Sequence, residues 1–198
     1  MPKLLLASTS PARKKLLTDA GIKFESFSPG VDEDLLVEQL RPNSIDELTL
    51  LLAKAKAETA SGRSDAELIL GCDSALEFEG EILGKPLREE VAINRWQSMR
   101  GKWGTLASGH HLIAEDGRSA SFCSKTRVLF ADISDAEIAR YVATGEPLGV
   151  AGAFTIDSIG GSYVERIEGD YHTVVGLSLV ALRKLMAELG HNYQDFWR

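Results

Sequence analysis

Cysteine is scarce. Cys72 and Cys123 are the only two in 198 residues, and they do not stand at metal-binding spacing. That spacing gives no support to a zinc module, and a reducing, cytoplasmic compartment is expected. No apolar run approaches the ~20 residues of a membrane span. Residues 1–7 are too short for the apolar part of a secretory signal. Positive charge is not in excess either. The net charge of −7 argues against broad contact with nucleic acid or an anionic membrane, so neither is expected as a partner. Any anion site has to be a local cluster working against the global field. The patterns GxxxxGK[ST], HExxH, CxxC and GxSxG are all missing, which removes the main support for P-loop, metalloprotease, zinc and esterase chemistry. Repeats and low-complexity tracts are missing as well.

What is present is an ordinary globular composition, 44% hydrophobic and 26% charged. Its length suits one domain, or one domain with two lobes. Strands and helices mix along the chain. A strand at 3–7 leads to a helix at 11–20, closed by Gly21. Residues 22–28 read as extended, and Pro29-Gly30-Val31-Asp32-Glu33 as a turn carrying two acids. Ser44-x-x-Glu47 has the form of a capping box opening a long helix, 45–60, with Leu48, Leu51, Leu52 and Ala55 on one face. A buried strand at 67–71 is expected to end at Asp73. Glu79-Gly80 marks a hairpin between 76–78 and 81–83. A helix at 89–99 follows, then strands at 105–114 and 118–130 around Glu115-Asp116-Gly117. Ser134-x-x-Glu137 opens a helix to Thr144. After a glycine-rich stretch come a strand at 162–168, a loop around His172 and a last helix at 178–189. The pattern predicts an α/β fold with a mixed, twisted sheet, and residues 84–101 are expected to join a second small lobe.

Three local features stand out chemically. The first is Leu6-Ala-Ser-Thr-Ser-Pro-Ala-Arg-Lys-Lys-Leu-Leu17. Ser10 and Pro11 suit an N-cap and a first helical residue. Arg13, Lys14 and Lys15 therefore sit at the positive end of a helix dipole, where each cation costs roughly 0.3–1 kcal/mol. With the hydroxyls of Ser8 and Ser10 and the amides of that turn, Arg13 could form a phosphate cradle. Equally, the lysines could simply extend into water. The second feature is Asp73, at the expected carboxyl end of a core strand, a position for a metal ligand or general base or for a turn-stabilising aspartate. Cys72 beside it suits a small buried side chain. The third is Asp32-Glu33, which could complete an oxygen site for Mg2+ or Mn2+ against Asp73, or stay solvated. Lys54 and Lys56 point about 200° apart on their helix, so at most one faces such a site. Lys85 sits in a constrained loop between Gly84 and Pro86, as a functional cation or a turn residue. His110 and His111 point to opposite faces of a strand and suit structural or surface roles.

Leu6-Ala7-Ser8-x-Ser10-Pro11-x-Arg13, Val31-Asp32-Glu33, Gly71-x-Asp73-Ser74, Gly84-Lys85-Pro86, Gly101-Lys102, Tyr141-x-x-Thr144-Gly145-Glu146-Pro147, Ala151-Gly152-Ala153-Phe154, Gly169-Asp170-Tyr171 and Val174-Val175-Gly176-Leu177 follow in order. Carrying this ordered set, the chain resembles the Maf family of nucleoside triphosphate pyrophosphatases over nearly its whole length. The resemblance implies cytoplasmic hydrolysis of nucleoside triphosphates to monophosphate and pyrophosphate with a divalent cation, Mg2+ or Mn2+. It also implies one domain, 1–198, with two lobes and a central cleft. The implied architecture is elongated and inosine-triphosphatase-like, with helices flanking the sheet, and it is often a homodimer. The implied site residues are Asp73 as proton acceptor, Glu33 and Asp73 toward metal, and Ser8, Ser10, Arg13, Lys56 and Lys85 toward phosphate. Lys56 is preferred to Lys54 because it holds the family's Lys-Ala step.

Three positions depart from the family pattern. Ala12 stands where many members have a second arginine, Val150 where many have lysine, and Asp157 where glutamine is common. These changes remove two cations and add an acid, and they make Asp157 a candidate for substrate specificity. The family divides between pyrimidine triphosphates and 7-methyl-GTP; Thr144-Gly145-Glu146-Pro147 leans toward the pyrimidine group. The competing reading is a nucleotide-binding regulator of cell division (septum formation) with little or no catalysis. A pure binder would have no need of the acid pair. In a third reading the acids serve folding only.

Overall fold

A computed structural model describes residues 3–62 and 65–198. Strand β1 (Leu4–Ala7) is buried throughout and pairs in parallel on both sides, with Leu5 opposite both Glu25 and Ile69. A parallel strand covered on both faces reads as a continuous apolar run, as Leu4-Leu-Leu-Ala7 does. Helix α1 (Pro11–Asp19) follows, capped by the Ser10 hydroxyl, with Leu16 and Leu17 inward. Strand β2 (Phe24–Phe27) and helix α2 (Glu33–Leu40) come next.

The sequence reading made the start of α2 a turn, and the structure corrects it. Asp32 is an N-cap whose carboxylate accepts from Leu35 N–H at 3.0 Å, and Glu33 and Asp34 open the helix at its positive end. None of its residues is buried, so it lacks the periodic apolar face that identifies most helices.

Helix α3 (Ile45–Ala60) has the predicted bounds. Ser44 accepts from Glu47 N–H, while the Glu47 carboxylate reaches back to Asn43 N–H instead of closing the box on Ser44. Its buried face is Thr49, Leu52, Ala53, Lys56, Ala57 and Ala60, spaced at one helical stripe. Strand β3 runs unbroken from Leu68 to Phe78, so Asp73 lies in mid-strand and not at a carboxyl end. β4 (Glu81–Leu83) pairs antiparallel with β3 across the predicted hairpin.

Then come α4 (Glu89–Met99), β5 (Trp103–Ala114), β6 (Ser119–Phe130) and α5 (Asp135–Val142), the last with a complete capping box between Ser134 and Glu137. Residues 146–163 form three short 3-10 turns. They lead into β7 (Val164–Glu168), antiparallel to β6. A short helix, α6 (Tyr171–Val175), replaces the expected loop, and α7 (Leu179–Glu188) ends the helical series. The tail is docked: Phe196 is buried, and Ile22 bridges Trp197.

Among the described residues, the strands form one seven-stranded mixed sheet in the order β2-β1-β3-β5-β6-β7, with β4 on β3. The fold is mixed α/β with helices flanking the sheet, as the alternation of elements predicts. The chain divides into two compact units. One comprises Met1–Asp73, Ser108–Ser124 and Gly176–Arg198; the other comprises Ser74–Ala107 and Lys125–Val175. The second holds far more than the 84–101 stretch expected of it. Its core is Trp96, edge-on to Phe130, Tyr141 and Tyr163, with the indole N–H donated to Ala153 C=O at 2.8 Å. Among the described residues no helix is long and apolar enough to cross a membrane.

Candidate active site

The first unit assembles its site where α3 lies against β3. A Cβ at Gly71 would stand 2.0 Å from Ala53 O and 2.8 Å from Ala57 N; one at Gly109 on β5 would stand 2.4 Å from the Thr49 carbonyl group. Only glycine at these two strand positions lets the helix backbone come so close. Side chains alternate along a strand, so Asp73 shares the face of Gly71 on which α3 lies. Lys56, beside Ala57, then reaches it.

Lys56 Nζ donates to Asp73 Oδ1 at 2.6 Å and lies 2.8 Å from Glu33 Oε1. Lys56 is 8% exposed and Asp73 9%, whereas the Glu33 side chain is 42% exposed. One ammonium therefore ties the middle of β3 to the first turn of α2. Lys54 points to solvent, 3.8 Å from Glu58. The sequence allowed at most one of the two lysines to face a site, and Lys56 is the one turned inward. Burial raises the proton affinity of Asp73; Lys56 and Arg13 oppose the rise, and Glu33 adds to it. Cys72 is fully enclosed, and burial pushes its thiol up to about 12, which suits an inert packing residue and no nucleophile.

Arg13 is 8% exposed, so it does not extend into water. Its Nε–H donates to Gly176 C=O at 2.8 Å; Nη1 donates to Cys72 C=O at 2.9 Å and to the Ser8 hydroxyl at 3.3 Å. The guanidinium is thus pinned beside the residue that precedes Asp73. The loop before α1 also differs from the open cradle expected of it. Ser10 N–H donates to Ser8 Oγ at 3.2 Å, and Arg13 N–H to Ser10 Oγ at 3.4 Å. Two of its amides are held by its own hydroxyls. Lys15 pairs with Asp19 one turn on.

Ser8 contacts Arg13, and Lys56 joins Glu33 to Asp73; the two groups meet at the Cys72 carbonyl that holds Arg13 next to Asp73, with Ser10 capping the turn of Arg13. Sequence reasoning missed the carbonyls of Cys72 and Gly176 that orient Arg13, and it missed the close approach at Gly71. A glycine inside an apolar strand is the signal that could have revealed the latter.

Among the described residues no three His, Cys, Asp or Glu side chains gather as a metal cluster. Glu33 and Asp73 are nevertheless two hard oxygen donors already turned toward one cation, the Lys56 ammonium. That set fits Mg2+ or Mn2+, ions that use one or two carboxylates and leave other positions to water and phosphate oxygens.

The second unit carries Lys85 and Asp157, both exposed. The Lys85 loop is anchored on either side: Gly84 C=O accepts from Arg95 at 2.6 Å and from Gly152 N–H at 3.2 Å, and Leu87 N–H donates to Leu148 C=O at 3.1 Å. Asp157 lies in a loop organised by Glu146. That carboxylate accepts from the Tyr141 hydroxyl and Gly160 N–H, both at 2.9 Å, from Ile159 N–H at 3.1 Å, and from the Thr155 hydroxyl. Burial alone would push Glu146 up, but donors on Thr155, Gly160, Ser158 and Tyr141 outweigh it and hold the group at about 2.

The family described as Maf-like protein matches residues 3–189. A nucleoside triphosphate pyrophosphatase of Salinispora tropica is 52% identical, covering 98% of this chain and 87% of its own. One of Nostoc punctiforme is 46% identical, covering 100% and 99%. Among solved structures, the Ham1 protein of Staphylococcus aureus overlaps 66% of this chain and 72% of its own, at 15% identity and a TM-score of 0.39.

Proposed function

We propose, from the premise that this chain belongs to the Maf-like protein family, that it is a nucleoside triphosphate pyrophosphatase. It hydrolyses the bond between the α- and β-phosphates and releases a nucleoside monophosphate and pyrophosphate. One observation carries the reading: the buried Lys56 ammonium lies 2.6 Å from Asp73 and 2.8 Å from Glu33, with Arg13 fixed on the carbonyl of Cys72 next to Asp73. Interleaved cations and carboxylates suit a polyphosphate. A fold needing only stability would do as well with apolar residues in their place.

In this reading the start of α1 binds phosphate through its dipole, the Ser8 and Ser10 hydroxyls and the charge of Arg13. Lys56 neutralises a further oxygen. Water attacks the α-phosphorus and Asp73 accepts its proton; a carboxylate whose proton affinity is raised by burial is the better base near neutral pH. A divalent cation would be held by Glu33, with Asp73 as a second ligand only where it is not itself the base, since one carboxylate does not freely do both; the ion would supply charge to offset that developing on the leaving pyrophosphate. Asp157 is proposed to bear on the choice of base. The cytoplasmic location implied by the resemblance belongs to the same proposal.

The test is a panel of nucleoside triphosphates incubated with purified protein and Mg2+ or Mn2+, with pyrophosphate and orthophosphate measured separately. Pyrophosphate release that a chelator abolishes is expected. Orthophosphate as the sole product overturns the bond assignment, and tight binding without turnover favours the regulator.

A further inference from the structure

We infer that His110 is a positioning residue for Arg13, acting through the Gly176–Ser178 turn. His110 lies on β5, fully buried, next to the Gly109 that admits α3. Its Nδ1 is 3.2 Å from Phe122 C=O, and Ser178 N–H approaches its Nε2 at 2.8 Å. A carbonyl only accepts and a backbone amide only donates, so the ring is neutral. Its proton sits on Nδ1, and the Nε2 lone pair receives Ser178.

Two residues before Ser178, Gly176 C=O accepts the Nε–H of Arg13 at 2.8 Å. The guanidinium is planar. Fixing Nε on Gly176 and Nη1 on Cys72 C=O therefore fixes its plane beside Asp73. The imidazole supplies the acceptor that holds the turn, and the turn supplies the carbonyl that aims the cation. Ser178 is itself buried and caps α7 by accepting from Ala181 N–H at 3.0 Å. Removing the imidazole acceptor leaves a buried N–H without it at the point where the turn joins a helix. A displaced turn carries the Gly176 carbonyl with it.

The inference rests on the proposed polyphosphate site, and its test separates the two. Two quantities are measured for wild type, His110→Leu, His110→Gln, Arg13→Ala and the double variant His110→Leu/Arg13→Ala. One is kcat/KM for a turned-over nucleoside triphosphate; the other is the Kd of inorganic tripolyphosphate by calorimetry. His110→Leu is expected to weaken both about tenfold, because even a small misplacement of a group that positions substrate costs this much or more. His110→Gln presents a carbonyl oxygen to Ser178 and an amide to Phe122, and is expected to restore both to within about threefold of wild type. In the Arg13→Ala background, His110→Leu is expected to cost under about twofold more, because interacting residues are not additive.

An equal loss from His110→Leu in both backgrounds overturns the inference, since a merely structural histidine would act that way. Tripolyphosphate binding that ignores Arg13 also overturns it. If the wild type binds tripolyphosphate but releases no pyrophosphate from any triphosphate, the enzyme reading fails, and coupling of the Kd values alone decides the role of His110. Should His110→Leu not fold, nitrogen NMR of the wild-type ring decides: a bare Nε2 is expected, and a protonated Nε2 removes the acceptor and the inference.

Discussion

Asp73 and Glu146 are both partly or wholly withdrawn from water, yet their units hold them in opposite ways. Glu146 is surrounded by neutral donors, hydroxyls and backbone amides, which satisfy its oxygens in fixed directions and keep it ionised down to about 2. Asp73 has a single ammonium and a nearby guanidinium, and burial still lifts its proton affinity. The first environment fixes a charge in order to shape a loop. The second leaves the carboxylate able to take a proton, and leaves its cation able to be shared with another anion. Several neutral donors in fixed directions make a structural acid; in the proposed reading, burial beside two held cations makes one that can take up a proton.

The largest effect that would sharpen this contrast is Asp73→Asn. Pyrophosphate release is expected to fall ~10²–10⁴-fold, and near-normal turnover would refute the role. The folded protein binds the Asp73 proton more tightly than the unfolded chain does. Its stabilising contribution is therefore present below the unfolded value and lost as pH rises through the folded one. The variant should accordingly melt no lower than wild type at neutral pH, Lys56 keeping Glu33 as a partner.

Next in size is Lys56→Met. Removing the ammonium strands a buried carboxylate and is expected to cost about 3 kcal/mol in denaturant unfolding. Any residual turnover should show its acid limb at higher pH. Gly71→Ala follows. A methyl group 2.0 Å from the Ala53 oxygen forces α3 off the sheet, at about 2 kcal/mol, and turnover falls because Lys56 travels with the helix.

Glu146→Gln is the smallest of these changes and the most diagnostic in its pH dependence. It should lose about 1–2 kcal/mol at neutral pH by weakening charge-assisted hydrogen bonds. The wild-type advantage is present above the ordinary glutamate range and should vanish as pH falls through about 2. Asp73→Asn must lack that pattern; if it too is destabilised at neutral pH by an amount that vanishes in acid, the distinction between the two carboxylates fails.

Local chemistry made much of this legible. The bounds of α3 and α4 and the Glu79-Gly80 hairpin agree with the sequence reading, because capping, helical periodicity and turn residues act over a few positions. Helix α2 escaped it, since its signals are a cap and two acids with no buried face. The acid at 73 looked like the end of a strand because carboxylates are rare inside buried ones. Lys56, seventeen residues away, makes it tolerable there. The loop serines were read as ligand donors, and they also cap their own amides.

By itself the sequence determined the α/β class, the order of most elements, the family and the candidate residues, because periodicity, capping and motif order are written along the chain. Only the tertiary structure decided that Lys56 faces inward and Lys54 outward, that Arg13 is aimed by carbonyls at 72 and 176, and that His110 stands behind that turn. The first depends on how closely α3 approaches β3 and β5, a distance set by Gly71 and Gly109; the others depend on contacts between residues far apart in sequence.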